Sequence, residues 1–344
     1  MTLQRSLLVT GGAGFIGSNF VRRMVTYGHK VIVLDALTYA GNRANLDSID
    51  GPGSWKLIVG DICDGQLVSK VLDENQIDYI VNFAAESHVD RSISSPDTFI
   101  ETNIRGTFVM LNSALGYWQK LNAEKKQGFR FLQVSTDEVY GSLGPIGRFS
   151  ETTPFSPNSP YSASKASGDH LVRAWFHTYS LPTITTNCSN NYGPYQYPEK
   201  LIPHVITCAL SNKPLPVYGD GGNVRDWIHV EDHCYGVWLS LEKGRPGETY
   251  CFGGNAERNN LDVVQTICKT LDQLSFRKDG QSYNKQIQFV ADRLGHDRRY
   301  AIDDTKAQEE LGFIRRFSFE EGLADTIRWY LDNQSWCRTV LHKD

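Results

Sequence analysis

The chain has 344 residues, of which 40% are hydrophobic and 22% charged, with a formal net charge of −4. These values describe an ordinary globular protein, long enough for about two domains. The charge balance speaks against broad nucleic-acid or membrane-surface binding, so an anionic ligand must be met by locally placed Arg, Lys, His or backbone N–H groups. Seven cysteines (Cys63, Cys188, Cys208, Cys234, Cys251, Cys268 and Cys337) are scattered and show no C-x-x-C spacing. That speaks against a disulfide framework or a metal site and for reduced thiols. The amino terminus enters a strand without a signal-peptide pattern, and no apolar run approaches the roughly 18 residues of a membrane span. The expected location is cytoplasmic.

In chain order, Ser6–Thr10 is a short apolar strand, followed at once by Gly11-Gly-Ala-Gly-Phe-Ile-Gly17. A helical pattern over 18–27 comes next, with Phe20, Val21, Met24 and Val25 as its apolar stripe. Gly12-x-Gly14-x-x-Gly17 fits the dinucleotide fingerprint: glycine permits the tight turn, the approach of backbone to pyrophosphate, and close helix–strand packing. The helix N-terminus offers N–H donors and a positive dipole end to phosphates. Lys30–Asp35 is a second strand, ending in an acid 18 residues after Gly17. A carboxylate there grips a ribose 2′-OH and favours NAD over NADP. The alternative is a glycine-rich turn beside an unrelated Asp, but the strand–loop–helix–strand–acid order favours a dinucleotide.

Further strands are expected at 55–61 and 77–83, a helix at 66–74, and a long helix over 98–121 carrying Phe99, Ile104, Phe108 and Leu111. The segment 122–128 reads as a solvated connector. Between these, Ala84 and Ala85 are small enough to let a cofactor lie close, and Ser87 can hydrogen-bond a ligand. His88 has no partners at metal-ligand spacing and is expected to be structural. Strands and helices alternate to about residue 140, which implies an α/β fold with a doubly wound parallel (Rossmann) sheet.

The stretch 131–141, Phe-Leu-Gln-Val-Ser-Thr-Asp-Glu-Val-Tyr-Gly, begins as a buried strand and ends in polar side chains. Ligands of open parallel sheets bind at the carboxyl ends of strands, which places Thr136, Asp137 and Glu138 where chemistry happens. Two adjacent acids can divide the labour, one protonated and one ionised. Strand alternation sends Asp137 opposite to Thr136 and Glu138, so all three face one substrate only if extended geometry ends at about Asp137. Farther on, Ser159 can cap a helix whose first position is Pro160. Tyr161 and Lys165, four apart, share a face of that helix. A nearby ammonium is expected to lower the tyrosine pKa and make it a usable base.

Thr10-Gly-Gly-Ala-Gly-Phe-Ile-Gly17 together with Tyr161-x-x-x-Lys165 resembles the extended short-chain dehydrogenase/reductase superfamily. Ser135-Thr-Asp-Glu-Val-Tyr-Gly141 resembles its nucleotide-sugar 4,6-dehydratases, those acting on dTDP-glucose most closely. Matches continue at Ala84-Ala-Glu-Ser-His-Val-Asp-Arg-Ser92, Cys188-Ser-Asn-Asn-Tyr-Gly-Pro194, Pro198-Glu-Lys-Leu-Ile-Pro203, Arg225-Asp-Trp227 and Gly295-His-Asp-Arg-Arg-Tyr300, so the likeness covers nearly the whole chain. Leu294 departs from the Arg-Pro-Gly-His pattern of the family.

The resemblance implies catalysis by Thr136, Asp137, Glu138, Tyr161 and Lys165. Tyr161 takes the proton of the sugar 4-hydroxyl as C4 is oxidised, Thr136 hydrogen-bonds the same oxygen, and Lys165 holds the nicotinamide ribose. Glu138 then acts as base at C5, and Asp137 as the acid that protonates the departing 6-hydroxyl. The implied NAD site comprises Gly11, Gly14, Phe15, Ile16, Gly17, Asp35, Asp61, Ile62, Ala84, Ala85, Tyr161, Lys165 and Asn191. The implied nucleotide-sugar site comprises Ser87, Thr136, Asn190, Glu199, Lys200, Pro216, Tyr218, Arg225, Asn260, Arg293 and His296.

Residues 1–192, with returns from about 236–259, are expected to form the NAD-binding domain. Residues 193–235 plus 260–344 would form the smaller substrate-binding region. Breaker-rich 214–219 is a plausible platform for the base, and 323–330 a closing helix. A homodimer through 98–121 and 162–179 is implied as well. A UDP-glucose 4,6-dehydratase is the nearest alternative. A 4-epimerase or simple oxidoreductase would use Tyr161 and NAD without needing both acids, and a non-catalytic NAD-binding regulator would typically lose Tyr161 or Lys165.

Overall fold

Strands that are apolar on both faces need helices on both sides, and that requirement shapes the molecule. The computed structural model describes residues 4–292 and 295–341. β1 (Ser6–Thr10) runs through the glycine loop into α1 (Phe15–Thr26), then β2 (Lys30–Asp35), β3 (Ser54–Val59), α2 (Gly65–Asn75) and β4 (Tyr79–Asn82). Short α3 (Val89–Ser94) and α4 (Pro96–Phe99) precede α5 (Thr107–Lys120), α6 (Ala123–Gly128) and β5 (Arg130–Thr136). α7 (Pro160–Tyr179), β6 (Thr183–Cys188) and β7 (Asn190–Tyr192) follow. Then come α8 (Leu201–Leu210), β8 (Leu215–Tyr218), β9 (Val224–His229), α9 (Val230–Lys243), β10 (Thr249–Phe252) and β11 (Glu257–Asn259). α10 (Asn260–Leu274), β12 (Ile287–Val290), α11 (Phe319–Asp332) and α12 (Gln334–Leu341) complete the order.

Seven parallel strands form the main sheet in the order β10-β6-β5-β4-β1-β2-β3. This is the doubly wound Rossmann arrangement. The strand order reverses between β1 and β4, which opens a crevice at their carboxyl ends. Leu7, Val9, Val31 and Val33 pack with α1 and α9 on one face, and Leu8, Ile32, Ile80 and Phe131 with α2 and α5 on the other. Two small sheets, β11-β9-β7 and β12-β8, stand beside the large one over a separate core that includes Ile206, Val217, Ile267 and Leu323. Among the described residues, no helix is long and apolar enough to cross a membrane.

Four segments differ from their expected form. The helix over 98–121 is interrupted by a π-helical stretch at Ile100–Gly106. The wider turn accompanies an inward Asn103, whose Nδ2 donates to Glu86 O at 3.0 Å and to Ser164 Oγ at 2.8 Å. The connector 122–128 is helical as α6, because Asn122 caps it by accepting from Lys125 N and its Ala, Glu, Lys and Gln are good helix formers. Segment 214–219 contains a paired strand, β8, in a two-stranded sheet where Pro216 is tolerated because an edge strand need not donate on both sides. The C-terminal helical pattern also extends beyond 323–330, into α11 and α12.

Candidate functional site

A cleft of about 330 Å³ lies along the carboxyl ends of β1, β2, β4, β5 and β6. Its floor is the glycine loop. Gly11 has φ of +64°, and a Cβ there would lie 2.7 Å from Ala84 N. A Cβ on Gly17 would fall onto Gly11 O. Helix α1 begins at Phe15, earlier than the sequence suggests, and Gly14 supplies no side-chain cap. The first N–H groups are therefore left for a ligand. Asp35 closes β2 and its carboxylate accepts from Ala13 N and Leu37 N, both at 2.8 Å. A backbone cradle without side chains, a helix N-terminus and an acid at the second strand end together fit a dinucleotide.

Every side chain expected to hold NAD lines this one cleft: Gly11, Gly14, Phe15, Ile16, Gly17, Asp35, Asp61, Ile62, Ala84, Ala85, Tyr161, Lys165 and Asn191. Thr136, Asp137, Glu138, Ser87, Asn190, Glu199 and Lys200 line it too. Pro216, Tyr218, Arg225, Asn260 and His296 do not, and Arg293 and Leu294 lie outside the described residues. Arg225 is buried, donating to Val224 O and Asp297 O and stacking 4.3 Å from the Tyr300 ring. His296 Nδ1 meets Asp292 Oδ1 at 2.6 Å, near the Tyr218 ring.

At β5 the chain leaves extended geometry at the residue where three side chains need one common face. Thr136 is the last strand residue, and a 3₁₀ turn spans Asp137–Tyr140. Thr136 Oγ1 accepts from Glu138 N and donates to Asp137 Oδ1, both at 3.3 Å. Asp137 is 2% exposed, and its Oδ2 has no hydrogen-bond partner among the described residues. Burial, then the negative charges of Glu138 and Asp226, push its pKa well above the carboxylate range. That direction suits Asp137 to the role of proton donor beside Glu138.

Ser159 caps α7 with a capping box closed by Ser162, and Pro160 takes the first helical position. This fixes Tyr161 one residue inside the helix and Lys165 one turn on. Lys165 Nζ donates to Val134 O at 2.7 Å. The expected depression of the Tyr161 pKa is absent from the ligand-free protein. Burial and the charge of Glu138 push it well above the usual phenol range, and only the hydrogen bond with Thr136 pulls it down. Lys165 hydrogen-bonds that β5 carbonyl, and its charge is not among the influences on Tyr161.

His88 is a cap: its Nδ1 accepts from Arg91 N, and its Nε2 lies 3.6 Å from Glu199. Asn191 is fixed by His233, whose Nδ1 is 2.9 Å from Asn191 Oδ1, while Asn191 Nδ2 donates to Ser189 O. Sequence reasoning missed Tyr39, Glu86, Thr102, Ser189, Gln196 and Tyr197, which also line the cleft. Gly41 beside Tyr39 was the one local signal, a loop glycine after the acid-ending strand. Thr102 enters from a helix, where no pattern marks it. Among the described residues no cluster of three His, Cys, Asp or Glu side chains is placed to hold a metal.

The profile of the GDP-mannose 4,6 dehydratase family matches residues 8–326. A dTDP-glucose 4,6-dehydratase of Xanthomonas campestris pv. campestris (strain B100) is 59% identical over 334 residues, covering 97% of this chain and 95% of that protein. Two solved structures with the same enzyme name cover the chain end to end. That from Bacillus anthracis, in complex with NAD, has a TM-score of 0.85 at 48% identity and covers 98% of this chain and 99% of that one. DesIV from Streptomyces venezuelae, also with NAD bound, has a TM-score of 0.88 at 46% identity, over 97% and 99%. Identity of this extent, on a sheet whose crevice gathers Thr136, Asp137, Glu138, Tyr161 and Lys165, makes the chain a member of the nucleotide-sugar 4,6-dehydratase family, on its dTDP-glucose 4,6-dehydratase branch.

Proposed function

We propose that this protein is an NAD-dependent lyase that converts dTDP-glucose to dTDP-4-keto-6-deoxyglucose and water. The observation that carries the reading is Asp137, buried next to Glu138 in the cleft that also holds Tyr161 and Lys165. An epimerase needs the tyrosine and the cofactor, but it has no use for an acid and a base side by side.

Gly11, Gly14, Gly17, Asp35, Asp61, Ala84 and Lys165 would hold the cofactor. Bound NAD⁺ would supply the hydride acceptor for C4 and carry that hydride on to C6. Tyr161 takes the proton of the sugar 4-hydroxyl, and Thr136 hydrogen-bonds that oxygen. Oxidation at C4 acidifies C5–H, which Glu138 removes as general base. Asp137 gives its proton, carried on the unpartnered Oδ2, to the departing 6-hydroxyl, which leaves as water. Glu138 returns its proton to C5 as C6 takes the hydride first removed from C4, so the net reaction is redox-neutral.

By resemblance Glu199, Lys200, Arg225, Asn260, Arg293 and His296 would line the nucleotide-diphosphate site, with Arg225, Asn260 and His296 reaching it from outside the NAD cleft. Arg is suited to bidentate contact with phosphate. The small sheets would form the substrate region, 193–235 plus 260–344, against the NAD-binding part. An aromatic strip supports a homodimer through α5 and α7: Trp175 packs 5.8 Å from Phe108 and 5.4 Å from Tyr179, and both of these are exposed. Seven unpaired cysteines favour a reducing, cytoplasmic setting.

The test is purified protein incubated separately with dTDP-glucose and UDP-glucose, with products read by mass spectrometry. Loss of one water from the dTDP sugar alone is expected. Loss from UDP-glucose alone would replace the substrate, and an isomerised sugar of unchanged mass would replace the reaction.

A further inference from the structure

Tyr161, Lys165 and Asp169 recur at four-residue spacing on α7 and so share one helix face. The first two line the cleft; Asp169 lies behind it, 4% exposed. Its Oδ2 accepts from Ser135 Oγ at 2.6 Å, and Asn187 Nδ2 stands 3.4 Å away. The same Asn187 amide donates to Thr136 O at 3.0 Å. Asp169 Oδ1 has no hydrogen-bond partner among the described residues. A carboxylate in such a place is costly unless a cation answers it.

The cation on the same helix face, one turn back, is Lys165. It is 4% exposed, and it donates a hydrogen bond to Val134 O, a neutral acceptor. Burial drives the lysine pKa down, and Asp169 is the first group that opposes it, followed by Cys188. In return, Lys165 holds down an Asp169 pKa that burial raises to about 6. The other polar groups facing this pair are Ser135 and Thr136 on β5, Asn187 and Cys188 on β6, and Tyr140 on the 3₁₀ turn.

We propose that Asp169 is a positioning residue of the active site: one helical turn behind Lys165 on the same face, it places a negative charge behind that lysine and ties the lysine's helix to the ends of β5 and β6. Neither oxygen of Asp169 touches the cleft, so it acts through Lys165 and Ser135. This inference rests on the reading that Lys165 works on the cofactor in the cleft.

Asp169→Asn keeps the shape and the acceptor for Ser135 while removing the charge. Ser135→Ala removes the hydrogen bond and keeps the charge. Both are compared with the wild type by kcat against pH, by NAD⁺ affinity against pH from calorimetry, and by melting temperature to establish folding. In D169N the alkaline limb of both profiles is expected to move about one pH unit lower, with kcat at pH 8 reduced about tenfold, while in S135A the limb stays where the wild type has it. Superimposable profiles for D169N and wild type overturn the proposal. So does an equal displacement in S135A, which would make the role one of hydrogen bonding alone. A wild type that binds NAD⁺ yet leaves both sugars unchanged overturns the activity reading only, because the affinity profile still reports on Lys165.

Discussion

Asp137 and Glu138 are chemically almost the same side chain, and their surroundings give them different tasks. Asp137 is sealed from water beside other negative charge, which favours its protonated form. Glu138 is partly buried at the cleft. Exchanging each for its amide should therefore have different consequences. Asp137→Asn should cost about 10²–10⁴-fold in kcat, with C4 oxidation retained and visible as reduced cofactor. Glu138→Gln should stop the exchange of the C5 proton with solvent, followed by NMR in deuterated water. If Asp137→Asn turns over at the wild-type rate, the acid role belongs to another group. Tyr161 teaches the opposite lesson about reading neighbours from sequence. The i,i+4 lysine lies close, but the buried acid environment decides the direction of the shift.

At the scale of elements, the site depends on where two of them change character. β5 ends at Thr136 and the 3₁₀ turn brings the next two side chains round, which no strand could do. α7 starts at Pro160 under a capping box, so the position of Tyr161 rests on Ser159. Ser159→Ala should lower stability by about 1 kcal/mol, read by urea unfolding, with a smaller effect on kcat. The glycine loop tolerates less. Gly17→Ala would drive a methyl into backbone, with Gly12 Cα only 2.8 Å from it. NAD⁺ affinity should fall at least about tenfold, which corresponds to about 1.4 kcal/mol; an unchanged affinity would show that the loop can open without loss.

Across the whole molecule, the far end of the chain reaches the cofactor loop. Trp336 on α12 donates from Nε1 to Asn45 Oδ1 at 2.9 Å, and Asn45 Nδ2 donates to Ala13 O at 2.7 Å. Trp336 is held in turn by Trp329 and Tyr195, and Arg22 of α1 stacks on Tyr195. Trp336→Phe, which removes the indole N–H, should speed NAD⁺ release several-fold, measured by fluorescence after dilution. The fold as a whole also carries an acid liability. Burial lowers His229 to about 4 and His233 to about 3. The unfolded chain takes up these protons first, near pH 6.5, so the stability they contribute is complete above that pH and is lost as pH falls through their folded values. Asp169, raised to about 6, has the opposite sign: its charged form costs stability as pH rises from the unfolded value towards 6. His233→Gln should therefore flatten the fall in melting temperature between pH 6.5 and 4 relative to wild type; identical slopes would remove His233 as a cause.

The sequence by itself determined whatever depends on short-range backbone chemistry. The glycine loop, the acid at the end of β2, the cap of α7 and the Thr136-Asp137-Glu138 run are each set by neighbours within a few residues, and the sheet then carries them all to one crevice. Strand–helix alternation likewise fixes the doubly wound sheet, because parallel strands need crossovers. Only the tertiary structure decided which distant groups meet. Tyr39, Thr102 and Gln196 reach the cleft from separate elements, Asp169 finds Ser135 across two of them, and Trp336 finds Asn45 from 291 positions away. Pro216, Tyr218, Arg225, Asn260 and His296 line up in sequence motifs but stand apart from that cleft. A motif specifies backbone conformation locally, whereas burial, and with it the protonation of Asp137, Tyr161 and Lys165, belongs to the packing of the whole chain.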